Sequence, residues 1–305
     1  MKAAYIEQFG GPEVVKYGDL PDPVVGPGQV VVDAFAASVN GADWRVCTGH
    51  GHKEFPLILG RDFSGVVSAL GAEVQDLGVG DEVFGVLEFG RDGTYAEKIA
   101  VGAAIVARKP ATLSHVDAAA LALTGLTALY TLEDTLKLRP GETILIQGGA
   151  GGVASVAIQL AKHLGARVIS TAGTNHVGFV RELGADQVID HETTDFARTV
   201  GNCDAVFDTV GGDVAVQSYA VLKPGGRAAF IASGAHAPKT DRDDVTALRP
   251  EVRRDRAHLE RIAALCQAGA IRPPPVKVFD LAHAAEALRI IGTHHVSGKL
   301  VLKVR

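Results

Sequence analysis

Hydrophobic and polar positions follow two different rhythms along the 305-residue chain, and the change falls near residue 115. Up to that point the apolar runs are short and β-branched. They are "QVVVDAFAASV" (29–39), "SGVVSAL" (64–70), "DEVFGVL" (81–87) and "AEKIAV" (96–101), parted by clusters of Gly, Pro and Asp. Such runs between turn formers predict strands. "GVGDEVFG" (78–85) reads as a turn feeding a strand, and "RDGTYAEKIAV" (91–101) as a hairpin re-entering the sheet.

In "PATLSHVDAAALALTGLTALYTLEDTL" (110–136) the apolar positions move to helical spacing, behind Thr112 or Ser114 as a cap. From residue 143 strands and helices alternate. The predicted strands are "TILIQ" (143–147), "RVISTA" (167–172), "QVID" (187–190), "AVFDTV" (205–210) and "GRAAFIAS" (226–233). Helices of roughly 10–15 residues are expected between them, including "VASVAIQLAKHLG" (153–165) and "VGFVRELG" (177–184). That alternation predicts a parallel sheet covered on both faces. A polar stretch (236–271) follows, helix-periodic in its second half, where the charges read as a solvated face. "RPPPVKVFDL" (272–281), the helix "AHAAEALRII" (282–291) and the strand "GKLVLKV" (298–304) close the chain.

Composition narrows the class. A chain of this length is expected to split into two domains. Hydrophobic residues at 47% and charged residues at 21% fit an ordinary globular protein, and 36 glycines predict many tight turns. A net charge of −5 gives no electrostatic reason to bind nucleic acid or an anionic membrane surface. The N-terminal "MKAAYIEQFGGPEVV" lacks the apolar core of a signal peptide, and no uninterrupted apolar stretch of membrane-spanning length appears. Three scattered cysteines (Cys47, Cys203, Cys266) argue against a disulfide framework, so a cytoplasmic location is expected.

Candidate chemistry centres on "QGGAGGVASV" (147–156), where four glycines follow a predicted strand and open a predicted helix. Gly148, Gly151 and Ala154 match the spacing of a dinucleotide-binding turn. The free N–H groups and positive dipole end of the predicted helix that follows favour an anionic phosphate. An NAD site would carry an acid at the end of the next strand. Here that strand ends in "STAGTNH", which offers Thr171, Thr174, Asn175 and His176, with Arg181 shortly after, and no acid. NADPH is therefore expected over NADH, although His176 also fits a plain surface loop. Cys47, His50 and His52 in "CTGHGH" are metal-ligand types on a Gly-rich loop, but they show no supporting pattern. They read as exposed polar residues. Tyr219 and Lys223 in "YAVLK" have the spacing of a proton-donating pair, yet Lys223 falls where a helix-end cap is expected.

Several stretches together resemble the medium-chain dehydrogenase/reductase superfamily, and within it the zeta-crystallin-like quinone oxidoreductases. These include "GPGQVVVDAFAASVNGADWRV", "FPLILGRDFSGVV", "GVGDEVFG", "LTGLTALYTL", "ILIQGGAGGVAS", "ELGADQVID", "FDTVGG" and "LKPGGR". The resemblance implies an α/β architecture. A GroES-like β domain over 1–116 with 264–305 would carry the substrate, and a doubly wound parallel-sheet Rossmann domain over 117–263 would bind NADP(H) in the cleft beside it. It also implies that Asn40 stands where zinc-dependent relatives have a ligand cysteine. Arg61 and Asp62 replace their His-Glu pair, so a metal-free reductase is expected.

Carried over residue by residue, Asn40 and Thr124 fall near the nicotinamide and Gly149 to Val153 at the diphosphate. Thr174 and His176 fall near the 2′-phosphate and His191 near the adenine, with Phe230 and Ser233 on the cofactor-facing segment. The implied reaction is hydride transfer from C4 of NADPH, leaving NADP+, to a quinone or α,β-unsaturated carbonyl, with Asn40, Arg45 and Tyr95 as donors to substrate oxygen. Enoyl or alkenal reduction in lipid or polyketide metabolism is the alternative, and a non-catalytic NADPH-binding redox sensor a further one. "DDVTALRPEV" (243–252) is expected to form an edge strand that pairs two copies into a homodimer.

Overall fold

In the computed structural model, residues 1–50, 54–88, 90–234, 236–293 and 295–305 are described. The β-branched runs of the first third become β1 (Lys2–Ile6), β2 (Lys16–Asp19), β3 (Gln29–Val39), β4 (Leu57–Ile58), β5 (Asp62–Leu70), β6 (Glu82–Val86), β7 (Lys98–Gly102) and β8 (Val106–Arg108), with a short helix α1 (Gly41–Arg45) after β3. A longer helix, α2 (His115–Leu129), follows. Ser114 is its cap, accepting the Asp117 N–H at 3.1 Å. The helical run His115–Thr135 is long and apolar enough to cross a membrane by length and composition, but 78% of its apolar window is buried inside the protein, as in a core helix.

The alternating part then forms β9 (Thr143–Ile146), α3 (Gly152–His163), β10 (Arg167–Ala172), α4 (Val177–Glu182), β11 (Gln187–Asp190), α5 (Phe196–Thr199), β12 (Cys203–Asp208), α6 (Gly212–Gln217), β13 (Leu222–Phe230) and β14 (Thr246–Leu248). The chain ends with α7 (Arg256–Gln267), β15 (Val276–Asp280), α8 (Ala284–Ile291) and β16 (Lys299–Lys303).

Two units result: Met1–Leu123 with Arg254–Gln267 and Pro273–Arg305, and Thr124–Arg253 with Ala268–Arg272. The whole of α7 therefore belongs with the first unit, and α2 runs from the first unit into the second. The first unit holds a three-stranded sheet (β2-β1-β4) and a seven-stranded one (β15-β16-β3-β5-β6-β8, with β7 on β3). β3 lies inside the larger sheet, which is why it is apolar almost throughout. Its core gathers Val30, Val32, Phe63, Val83, Val101 and Val106. The expected hairpin over 91–101 does not form. β7 pairs instead with β3, Val31 opposite Ala100, and the residues before it are tied elsewhere, Tyr95 N donating to Leu59 O at 2.9 Å. A local turn signal says where the chain reverses; which edge the next strand joins depends on long-range pairing.

The second unit holds one six-stranded parallel sheet, β11-β10-β9-β12-β13-β14. Leu145, Ile169, Val206, Ala228 and Phe230 form its core on one face. The chain steps outward from β9 to β10 and β11, then returns to β12 on the other side of β9. That reversal of strand order is where open α/β sheets bind ligands. α3 has the expected length, but α4, α5 and α6 span only 6, 4 and 6 residues. Short 3₁₀ turns, Thr174–His176 and Ser218–Val221, take part of the difference.

Candidate active site

The glycine turn leaves β9 at the reversal point. Gly148 has φ +72°, a left-handed conformation that a side chain resists. At Gly149 an added Cβ would collide with Ser170 Oγ and lie 2.9 Å from Val180 Cγ1, so the backbone can run close to β10 and α4 only without a side chain. The turn is held from three sides. Thr171 Oγ1 accepts the Gly148 N–H at 3.0 Å and donates to Gln147 Oε1 at 2.7 Å. Ser170 Oγ donates to Ile146 O at 2.7 Å. Thr209 Oγ1 donates to Gln147 O at 2.8 Å. Asp208, at the end of β12, accepts the N–H groups of Val210 and Gly211 and fixes the neighbouring loop. Burial holds its carboxyl above the usual range.

α3 begins at Gly152 behind Gly151, which has no side chain to cap it. The first N–H groups of a helix have no partner within it and carry the positive end of its dipole. Ala150, Gly151, Gly152 and Val153 are half-buried, so this end is open to an anion. The geometry suits a pyrophosphate. Thr171 is different: it is 3% exposed, its hydroxyl is spent inside the turn, and it supports the bed from behind. Gln147, Ser170, Asp208 and Thr209 were not among the expected site residues. Their only sequence signal is a small polar residue at the end of an otherwise apolar strand.

At the far end of β10 the absence of an acid in "STAGTNH" is undone by the fold. β11 runs parallel to β10 with Ala172 beside Asp190. Thr174 Oγ1 donates to Asp190 Oδ2 at 2.7 Å and lies 3.1 Å from Glu192 Oε2. The Thr174 N–H faces Glu192 Oε1 at 3.3 Å, and Glu192 N donates to Asp190 Oδ1 at 3.0 Å. Two carboxylates therefore sit on the segment that the strand end alone left free of acid. His176 is half-buried and His191 exposed beside them. Thr124 is buried on α2. Phe230 has its ring in the core, 5.2 Å from Tyr219, so it can offer only backbone to a ligand. Ser233 donates to His236 O at 3.0 Å.

In the first unit, a buried polar cluster surrounds the start of α1. Asn40 Nδ2 donates to Asp62 Oδ1 at 2.9 Å, and its Oδ1 accepts from Lys299 Nζ at 2.6 Å. Lys299 Nζ also donates to Val39 O at 2.9 Å, and Ser38 Oγ to Asp62 Oδ2 at 2.7 Å. Asp43 Oδ2 accepts from the Asn40 N–H at 2.9 Å and from Tyr95 Oη at 2.8 Å. Arg61 Nε lies 3.1 Å from Asp92 and 3.7 Å from Asp43 Oδ1, an atom with no hydrogen-bond partner among the described residues. Burial pushes the Asp43 carboxyl up to about 7 against the pull of Arg61, and raises that of Asp62 despite Lys299. Burial likewise lowers Lys299.

Of the three expected donors, only Arg45 is exposed. Tyr95 is fully enclosed, its hydroxyl committed to Asp43, and Asn40, half-buried, has both ends of its amide engaged. Cys47 is buried rather than exposed, His50 Nδ1 lies 3.2 Å from Arg45 O, and His52 falls outside the described residues. Tyr219 donates to Pro238 O at 2.6 Å and Lys223 is paired with Asp204, so the "YAVLK" spacing carries no shared chemistry.

Comparison with known proteins agrees with this layout. Residues 26–111 match the model of the alcohol dehydrogenase GroES-like domain, and residues 183–302 that of the zinc-binding dehydrogenases. The chain is 33% identical over 317 residues to the 2-methylene-furan-3-one reductase of Solanum lycopersicum, covering 99% of this chain and 79% of that protein. The chain belongs to the medium-chain dehydrogenase/reductase superfamily. The Coxiella burnetii quinone oxidoreductase superposes with a TM-score of 0.92 at 34% identity, over 100% of this chain and 99% of that one. The Escherichia coli quinone oxidoreductase complexed with NADPH gives a TM-score of 0.90 at 26% identity, over 100% of both. The chain spans only 5% of the polyketide synthase GfsB of Streptomyces halstedii, to which it is 35% identical over 294 residues.

Within the superfamily the residues at the position of the catalytic metal decide whether a zinc ion fits. At the positions where the family resemblance implies the zinc ligands, Asn40, Arg61 and Asp62 offer an amide, a guanidinium and a carboxylate, and the buried ammonium of Lys299 lies 2.6 Å from Asn40 Oδ1. A second cation beside it would meet repulsion and find neither thiolate nor imidazole. The set does not fit zinc. Among the described residues no group of three or more His, Cys, Asp or Glu is arranged to hold a metal ion.

Proposed function

We propose that this chain is a metal-free reductase that passes a hydride from a reduced nicotinamide dinucleotide to a quinone or an α,β-unsaturated carbonyl. The observation that carries the reading is the open N-terminus of α3 behind an uncapped glycine turn, at the reversal point of a parallel sheet. The sequence relationship to quinone and enone reductases supports the acceptor class. When bound, the nicotinamide would supply a hydride, one proton carried with two electrons. The chain's own residues bind and orient. The backbone of 149–153 holds the pyrophosphate, while Thr171, Gln147 and Thr209 keep that backbone rigid. Arg45, exposed on α1, is available to a developing oxyanion, and the balancing proton comes from water. Lys299 provides the fixed positive charge that a metal would otherwise supply to the Asn40–Asp62 cluster. Three free thiols suit a reducing compartment, the cytoplasm.

Stopped-flow oxidation of the reduced dinucleotide by a quinone and by an enone tests the reading. Acceleration with at least one acceptor is expected; no acceleration with either would sink it. The ratio of the two rates separates quinone reduction from alkenal or enoyl reduction, the second reading favoured by the tomato reductase. Dinucleotide that binds but is oxidised by no acceptor would indicate the non-catalytic sensor.

A further inference from the structure

We propose that this chain prefers NADH to NADPH, because Asp190 and Glu192 occupy the place that a ribose 2′-phosphate would need. The inference rests on the dinucleotide reading of the glycine turn. In a sheet of this kind the adenine ribose lies at the end of the second strand, where an acid hydrogen-bonds the 2′-hydroxyl and a cation accommodates a 2′-phosphate. The second strand here is β10, and the residues after it are Gly173 and Thr174. The hydroxyl of Thr174 points at Asp190 (2.7 Å) and Glu192 (3.1 Å), and its N–H at Glu192 (3.3 Å). An added Cβ on Gly173 would lie 2.6 Å from Glu192 Oε1, so that carboxylate also covers the strand end.

Both donors a phosphate would need on Thr174 thus already face carboxylates. A phosphate placed there would bring its charge against two more of the same sign. A neutral 2′-hydroxyl has the opposite requirement: it donates, and Asp190 and Glu192 accept. Arg181 lies a full turn beyond the start of α4 and is exposed. His176 and His191 flank the segment, and among the described residues neither forms an ion pair with Asp190 or Glu192. The residues present do not fit the 2′-phosphate. The inference reverses the expectation from the strand alone, since the acids arrive from the neighbouring strand rather than from β10.

Equilibrium titration of the full chain with NADH and with NADPH, read by nicotinamide fluorescence, tests the proposal without any acceptor. At low ionic strength NADH should bind at least about tenfold more tightly. Added salt screens the repulsion, so the gap should narrow as ionic strength rises. Glu192→Arg should raise NADPH affinity by about tenfold or more and bring the ratio to unity or beyond. NADPH binding as tightly as NADH to the wild-type chain at low salt would overturn the proposal. So would a gap that does not respond to salt, a measurement that needs no variant to fold. Saturable binding of neither nucleotide would overturn the dinucleotide reading beneath it as well.

Discussion

At Lys299 an ammonium group is enclosed almost completely, 6% exposed, with Asn40 Oδ1 and Val39 O as its acceptors. A buried charge persists only where partners and counter-charge replace water, and Asp62 supplies the counter-charge. Lys299→Met removes the cation and leaves Asp62 and the Asn40 carbonyl buried without it. A loss of about 3–5 kcal/mol is expected in urea denaturation, and removal of the Asp62 charge in the same chain should recover part of it. Asp43 sets a pH dependence. Its folded pKa, about 7, lies above its ordinary 3.8, so the folded state holds the proton more tightly than the unfolded chain. Stability contributed by this group is present at low pH and falls as pH rises through that window, by up to about 1.4 kcal/mol per pH unit for one proton. Asp43→Asn keeps an oxygen acceptor for Tyr95 and removes the titration. Urea melts at about pH 4 and about pH 7 should therefore differ less for the variant than for the wild-type chain.

The glycine turn works as a joint between β9, β10 and α3, and its tolerance is set by those elements. Gly149→Ala forces a methyl against Ser170 Oγ and Val180. Overpacking of this kind costs about 1–3 kcal/mol, so a lower urea midpoint and weaker dinucleotide binding are expected. Ser170→Ala in the same chain removes the colliding oxygen, and the double variant should lose less than the sum of the two. The same elements mark where the sequence was readable. β3, β10 and β11 have the limits their apolar runs predict: β3 and β10 are buried almost throughout and need near-continuous apolar patterning, and the edge strand β11 still buries Ile189. The lengths of α4 to α6 were not readable, since packing against short strands fixes them. The carboxylates facing Thr174 come from 16 and 18 residues away, a closeness created only when β11 pairs with β10. Tyr95 and Asn40 looked reactive because polar residues among apolar ones suggest chemistry; their hydrogen bonds to Asp43, Asp62 and Lys299 come from segments no local pattern connects.

For the molecule as a whole, the six-stranded sheet ends in two edges, β11 and β14, and exposed edges recruit partners. A two-fold pairing sets each edge against its own copy. At β11 that would bring Asp190 and, just past the strand, Glu192 against themselves, so like charge disfavours it. β14 reads Thr246, Ala247, Leu248 and carries no charge of its own. Its inner side is taken by β13, Ala247 beside Ala228. Of the residues bordering it, Asp244 is neutralised by Arg242 at 2.6 Å, and Arg249 Nη1 donates to Phe230 O at 2.7 Å. β14 is therefore the edge on which a second copy would add, and the chain of 31.7 kDa is expected to sediment at twice that mass. Ala247→Lys places like charges across the two-fold and should yield monomers while leaving the far-ultraviolet circular dichroism unchanged. A wild-type chain that sediments as a monomer at micromolar concentration, or a dimer indifferent to the lysine, would remove β14 from the assembly.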